Sequence, residues 1–178
     1  LCGAEAVLHN CPLLSDVDTA VRILTTLGCR VRREGHTLVI DSSSLSGDEI
    51  PENLMREMRS SIVFLGAIVS RLGKAKLSFP GGCELGPRPI DLHLEALRKM
   101  GVCIRENHGC LECSVPGGLR GCPISLSFPS VGATENVMLA AVCARGVTVL
   151  SNAAREPEIE DLANFLNACG GRVSGAGG

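Results

Sequence analysis

Three segments of this 178-residue chain fall into register with one another, and that repetition limits the folds open to it more than any other feature. Val17-Asp18, Ile90-Asp91 and Ile159-Glu160 each open a helical pattern that ends at a glycine, Gly28, Gly101 and Gly170 in turn. Apolar residues recur at shared offsets: Val17, Val21, Leu24 and Leu27; Ile90, Leu94, Leu97 and Met100; Ile159, Ala163, Leu166 and Cys169. That spacing is one face of an amphipathic helix, repeated.

A second helix type precedes two of the copies, over residues 54–72 and 137–145, closed by Gly73 and Gly146, with Gly3 at the matching place in the first copy. Both contain long apolar runs, such as Ile62-Val63-Phe64-Leu65-Gly66-Ala67-Ile68-Val69, and a helix apolar all round must be buried. Neither run is long enough to span a membrane. Short strands follow, Lys76-Leu77-Ser78-Phe79 and Val147-Thr148-Val149-Leu150. After each amphipathic helix the pattern predicts a hairpin, 29–41 turning at Gly35-His36 and 103–115 turning at Asn107-His108-Gly109. The unit is helix, strand, helix, hairpin, about 70 residues long. The expected fold class is α/β, with buried helices inside and sheets wrapping them. Unit one retains only the end of its buried helix, and unit three stops near Val173 after a first hairpin strand, so the pattern predicts one truncated domain over 1–178.

One stretch breaks the repeat. Between the strand and the amphipathic helix, unit two is longer than unit three, and the excess is Gly81 to Pro87 within Pro80-Gly81-Gly82-Cys83-Glu84-Leu85-Gly86-Pro87-Arg88-Pro89-Ile90-Asp91. Scaffold keeps one length through a repeat, whereas an extra loop at one equivalent position commonly carries function. Glycines permit close backbone approach to a ligand, and Pro89 suits a first helical turn. The helix start beyond it attracts phosphate or carboxylate, and Arg88 adds a planar cationic fork. The same positive field lowers a thiol's pKa, which makes Cys83 a candidate nucleophile or acid. The plainer alternative is a cysteine that simply falls in a turn.

Composition excludes several classes. Seventeen Lys and Arg against nineteen Asp and Glu leave no broad basic surface for nucleic acid, and four Phe without Trp or Tyr offer few stacking platforms. The 45% hydrophobic content supports one sizeable core. Ten cysteines in such a chain read as reduced thiols of a cytosolic protein, many at positions that look buried. Cys110, Cys113, Cys122 and Cys103 invite a zinc reading, but the odd spacing of Cys110 and Cys113 in a strand points them to opposite faces, and there is no second CxxC pair.

Several motifs together resemble the UDP-N-acetylglucosamine enolpyruvyl transferase family: Met58-Arg59-Ser60-Ser61-Ile62, Leu65-Gly66, Pro80-Gly81-Gly82-Cys83, Arg88-Pro89-Ile90-Asp91-Leu92-His93, Ser130-Val131-Gly132-Ala133-Thr134 and Asn152-Ala153-Ala154-Arg155-Glu156-Pro157-Glu158-Ile159. The resemblance covers essentially the whole chain. It implies the loop-bearing first domain of a two-domain bacterial cytoplasmic enzyme, an inside-out α/β barrel of three repeated units with the catalytic loop at 80–88. It also implies transfer of enolpyruvyl from phosphoenolpyruvate to the 3′-hydroxyl of UDP-N-acetylglucosamine, with no metal and no cofactor, in the first committed step of peptidoglycan synthesis. Cys83 matches the residue that adds to phosphoenolpyruvate, serves as general acid and is alkylated by fosfomycin, and Arg88 matches a phosphoenolpyruvate-site arginine. Arg59 matches a nucleotide-sugar contact. Arg88, Pro89, Ile90, Asp91 and Leu92 match the uridine-diphosphate segment, and Ser130, Val131 and Gly132 match a second one. His93 reads as helix packing, and Phe128 stands where relatives often carry a lysine. The base and a further arginine would come from the missing second domain, so the fragment alone is expected not to turn over.

Other readings remain beside this one. A shikimate-pathway enolpyruvyl transferase resembles it in architecture but does not share the cysteine loop. An RNA 3′-phosphate cyclase fold would need nucleic-acid surfaces that the charge balance disfavours. A non-catalytic module that grips a nucleotide-sugar is the alternative outside the enzymes.

Overall fold

A computed structural model of the chain describes residues 3–79 and 90–178. The elements run β1 (Glu5–Leu8), α1 (Ser15–Thr26), β2 (Arg30–Glu34), β3 (Thr37–Asp41), β4 (Glu49–Ile50), α2 (Glu52–Glu57), a 3-10 turn (Ser61–Val63), α3 (Phe64–Leu72) and β5 (Lys74–Ser78). They continue with α4 (Asp91–Lys99), β6 (Cys103–Asn107), β7 (Cys110–Ser114), β8 (Pro123–Ser125), α5 (Val131–Ala141), β9 (Val149–Ser151) and α6 (Pro157–Ala168).

The repeat is visible in the backbone. Helices α1, α4 and α6 run out at Gly28, Gly101 and Gly170, whose φ values of 97°, 98° and 92° are left-handed, a conformation that stops a helix and that a Cβ disfavours. The hairpin turns fall where the sequence places them, and His108-Gly109 takes φ of 47° and 77°, the paired positive values of a tight two-residue turn.

Sheet topology repeats as well. In unit one the order is β1-β3-β2 and in unit two β5-β7-β6, so the strand ahead of the amphipathic helix pairs antiparallel with the second hairpin strand. Glu5 lies opposite Asp41, and Lys74 opposite Ser114. Strands β4 and β8, too short to show a period, were absent from the sequence reading. Each lies parallel to the strand that follows a buried helix, β4 beside β5 and β8 beside β9. Parallel neighbours need a long crossover, which α2 with α3 supplies in one case and α5 in the other.

Helices α3 and α5 cross at the centre of the main core. Leu65, Ile68, Val69, Ala133, Val137 and Ala140 pack there with residues of α1, α4, β5 and β7. A smaller cluster of Met138, Ala154, Ile159, Ala163 and Leu166 seats α6. Among the described residues no helix is long and apolar enough to cross a membrane.

Four expectations need correction. First, the helix expected over residues 54–72 is divided: α2 stops at an extended Met58 (φ −120°, ψ 120°), and α3 starts only at Phe64. Where α3 begins, the Asn136 side chain of α5 donates from Nδ2 to the Ile62 carbonyl at 3.0 Å and accepts from the Gly66 N–H at 2.6 Å. These two groups are four residues apart, the pair that an unbroken helix joins directly. Second, the helix expected over 137–145 is α5, earlier by about one and a half turns, and its far end leaves Val142 and Cys143 exposed. Third, no strand forms near Val173, because the Asn167 side chain satisfies its N–H and carbonyl at 2.7 and 2.9 Å. The sheets stay separate, with no closed barrel among the described residues. Fourth, of the described cysteines only Cys29 and Cys113 are buried, while Cys103, Cys143 and Cys169 are exposed. Cys110 and Cys113 do take opposite faces of β7, Cys113 sharing the buried face with Leu111.

Two outcomes follow from this packing. A Cβ on Gly66 would lie 2.3 Å from the Asn136 carbonyl oxygen and 2.4 Å from Oδ1, so Gly66→Ala must push α3 off α5. Thermal denaturation is expected to show a loss of about 3 kcal/mol, a fall in Tm of roughly 6–12 °C for a chain of this size. Glu135, on the α6 side of α5, has its pKa raised by burial and then by the charge of Glu158. Its contribution to stability is therefore fully present below the ordinary glutamate range and is lost as pH rises through the folded-state value. Glu135→Gln is expected to raise Tm at pH 7 and to leave it nearly unchanged at pH 4, read from melting curves at both values.

Candidate functional site

The start of α5 is built by Ser130, whose extended backbone (φ −126°, ψ 120°) turns the chain into the helix. Its Oγ accepts from the Ala133 N–H at 3.3 Å, and its carbonyl accepts from the Thr134 N–H at 2.9 Å. Val131 and Gly132 are the first two helical residues, both half-buried. No acidic side chain occupies this first turn, so the positive end of the helix is not offset by its own sequence. At the start of α4, buried Ile90 accepts from the Leu94 N–H at 3.1 Å, Asp91 is exposed and Leu92 is half-buried.

These two starts meet. A methyl group on Gly132 would sit 3.1 Å from Cε1 and 3.5 Å from Nε2 of His93, and 3.9 Å from a Val63 methyl. A side chain at position 132 would require the His93 ring to give way by a few tenths of an ångström. Val63 ends the 3-10 turn that leads into α3, so the opening turns of α3, α4 and α5 converge. Arg59 is exposed on the segment entering that turn. Helix starts carry positive dipole ends. Here the opening N–H groups of α3 are engaged by the 3-10 turn and by Asn136, and α4 carries Asp91 in its first turn, so the start of α5 is the one best suited to an anion.

The structure therefore brings Ile90, Asp91 and Leu92 beside Ser130, Val131 and Gly132, with the Arg59 segment adjoining. Cys83, Arg88 and Pro89 lie outside the described residues. The stretch that contains them joins β5 to α4 over residues 79–90, against 9–14 between β1 and α1 and 152–156 between β9 and α6. Its far end is thus tied to the convergence at Ile90. Among the described residues no cluster of His, Cys, Asp and Glu could hold a metal ion.

His93 is 7% exposed and packs as expected. Sequence reasoning missed Asn136, wholly buried, whose Nδ2 also lies 3.0 Å from His93 Nδ1. Two signals pointed to it: one amide inside the apolar stretch of α5, and one glycine inside that of α3. Exposed Phe128 stands two residues ahead of Ser130.

The model of the EPSP synthase family (3-phosphoshikimate 1-carboxyvinyltransferase) matches residues 1–178. Over 172 residues the chain is 55% identical to UDP-N-acetylglucosamine 1-carboxyvinyltransferase 2 of Caldanaerobacter subterraneus subsp. tengcongensis, covering 97% of this chain and 41% of that protein. Over 182 residues it is 52% identical to UDP-N-acetylglucosamine 1-carboxyvinyltransferase 1 of Symbiobacterium thermophilum, covering 99% and 41%. The chain thus spans about two-fifths of the length of these relatives. Among solved structures, the enolpyruvyl transferase NikO from Streptomyces tendae superposes with a TM-score of 0.76 at 26% identity, over 93% of this chain and 39% of that one. An EPSP synthase from Acinetobacter baumannii, with TM-score 0.66 and 18% identity over 86% and 36%, shares the fold. With its repeated units, its converging helix starts and a family match from end to end, the chain belongs to the EPSP synthase family of enolpyruvyl transferases.

Proposed function

We propose that this chain is the loop-bearing domain of a UDP-N-acetylglucosamine enolpyruvyl transferase, which moves enolpyruvyl from phosphoenolpyruvate to the 3′-hydroxyl of the nucleotide-sugar and releases phosphate. The observation that carries the reading is the meeting of segments 90–92 and 130–132 at three helix starts, in a chain 55% identical to a protein of that name. A diphosphate is the polyanion such a place favours. Ile90, Asp91 and Leu92 would bind one side of the uridine diphosphate and Ser130, Val131 and Gly132 the other, with Arg59 and Pro89 completing the cradle.

The chemistry assigned to the loop follows from the substrates. The sugar oxygen bonds to the central carbon of the enol phosphate while its hydroxyl proton leaves to a base and the methylene carbon takes a proton to become a methyl, giving a tetrahedral adduct. Loss of phosphate and of a proton from that methyl then restores the double bond, now as the enol ether of the product. A tuned thiol at Cys83 can supply that first proton or trap the cationic carbon. The Arg88 fork would hold phosphate and carboxylate oxygens while the carbon changes geometry. The base that accepts the hydroxyl proton belongs to a second domain, so these 178 residues alone would not turn over. No metal or organic cofactor has a role in this scheme. The product would serve peptidoglycan synthesis, and with it cell shape and division, in a bacterial cytoplasm.

The finer architecture belongs to the same proposal. The three sheets would be the outer wall of an inside-out α/β barrel with α3 and α5 inside it, and further chain would supply the remaining hairpin and inner helix.

Mass spectrometry after fosfomycin treatment tests the reading. The adduct is expected on Cys83 alone among the ten cysteines. Burial pushes the Cys113 thiol up to about 11 and raises that of Cys29, which leaves both poor nucleophiles. Labelling spread over exposed Cys103, Cys143 and Cys169, or none at Cys83, would contradict an activated loop thiol. Calorimetric titration with UDP-N-acetylglucosamine separates a working half-site from the alternative of a domain that only supports assembly.

A further inference from the structure

We infer that Asn136 is a positioning residue for the nucleotide-sugar site: by bridging α3 and fixing one tautomer of His93, its side-chain amide sets the separation between the opening turns of α4 and α5.

Hydrogen-bond logic leaves the amide one orientation. Oδ1 must face the Gly66 N–H, a donor, and Nδ2 must face the Ile62 carbonyl, an acceptor. The second Nδ2 hydrogen then points at His93 Nδ1, 3.0 Å away. Nδ1 must accept, so the imidazole proton of the neutral ring resides on Nε2. Asn136 is wholly buried, and the flipped amide would set its oxygen against the Ile62 carbonyl and its NH2 against the Gly66 N–H.

The tautomer bears on the site because of what the ring touches. His93 lies in the first turn of α4, and its Cε1–Nε2 edge packs on Gly132 in the first turn of α5. With Nδ1 protonated, two donors would face each other across 3.0 Å, and the ring would have to withdraw from Asn136 toward Gly132. On that side Gly132 has no side chain, and the point where a methyl would sit lies 3.1 Å from Cε1, so the ring would move into the space that the glycine leaves open. The packing of the ring on the first turn of α5, and with it the spacing of the two substrate segments, would then change. The inference rests on the proposed substrate reading for segments 90–92 and 130–132, and it adds a residue on neither of them.

The test uses the full-length protein that carries this chain, with histidine labelled by ¹⁵N in the ring, and UDP-N-acetylglucosamine as the probe. In the unsubstituted protein, the His93 signals are expected to show an unprotonated Nδ1 and a protonated Nε2. Asn136→Asp keeps an oxygen for Gly66 but replaces the donor with an acceptor. It is expected to move the proton to Nδ1 and to raise KM for UDP-N-acetylglucosamine about tenfold, with kcat changed by less than about threefold. A protonated Nδ1 in the unsubstituted protein overturns the inference, and that spectrum decides it even where Asn136→Asp does not fold. A folded Asn136→Asp protein with switched tautomer and unchanged KM overturns it as well. Failure of the unsubstituted protein to bind the probe, with the expected tautomer in place, overturns the substrate reading itself and the positioning role with it.

Discussion

One primary amide holds the inner helices of this domain in contact. Asn136 reaches from α5 into α3 and satisfies a carbonyl and an N–H that the broken helix leaves behind. Each of those groups, buried without a partner, would cost about 1–3 kcal/mol. The contact is polar at the centre of an apolar core, and it works only because Gly66 has no side chain to keep α5 away. Because the bond fixes where α3 begins, it also fixes the turn at Val63, and through His93 it fixes how α4 approaches α5. The site is thus a consequence of how the core is joined.

Repetition explains where function could be added. Units one and two share a sheet topology, a terminal glycine and an amphipathic helix, and the third carries the same helix and glycine. Rigid, equivalent scaffolding lets one connection lengthen without disturbing the others. That connection meets α4 at Ile90, beside the start of α5. An identical insertion between β1 and α1 would have no such neighbourhood among the described residues.

The repeat, the amphipathic faces, the terminal glycines and both hairpins were legible in the sequence because each depends on local periodicity or on turn chemistry. Ile90 to Leu92 and Ser130 to Gly132 were legible as segments, yet nothing in their spacing, some 40 residues apart, says that they touch. That proximity is set by the packing of α4 on α5, a tertiary fact. The bridge at the start of α3 was hidden for the same reason, since Asn136 sits seventy residues away on another element. β4 and β8 were hidden by brevity, since two or three residues carry no period. The exposure of Cys103, Cys143 and Cys169 shows the limit of reading burial from residue type alone.

The central claim is that the opening turns of α3, α4 and α5 act as one ligand-binding unit. Hydrogen–deuterium exchange with and without UDP-N-acetylglucosamine tests it directly. Backbone amides near residues 59–63, 90–94 and 130–134 should gain protection together at the same ligand concentration, while the β2–β3 hairpin exchanges as before. Protection confined to one of the three stretches, or appearing instead in the β2–β3 hairpin, would contradict it.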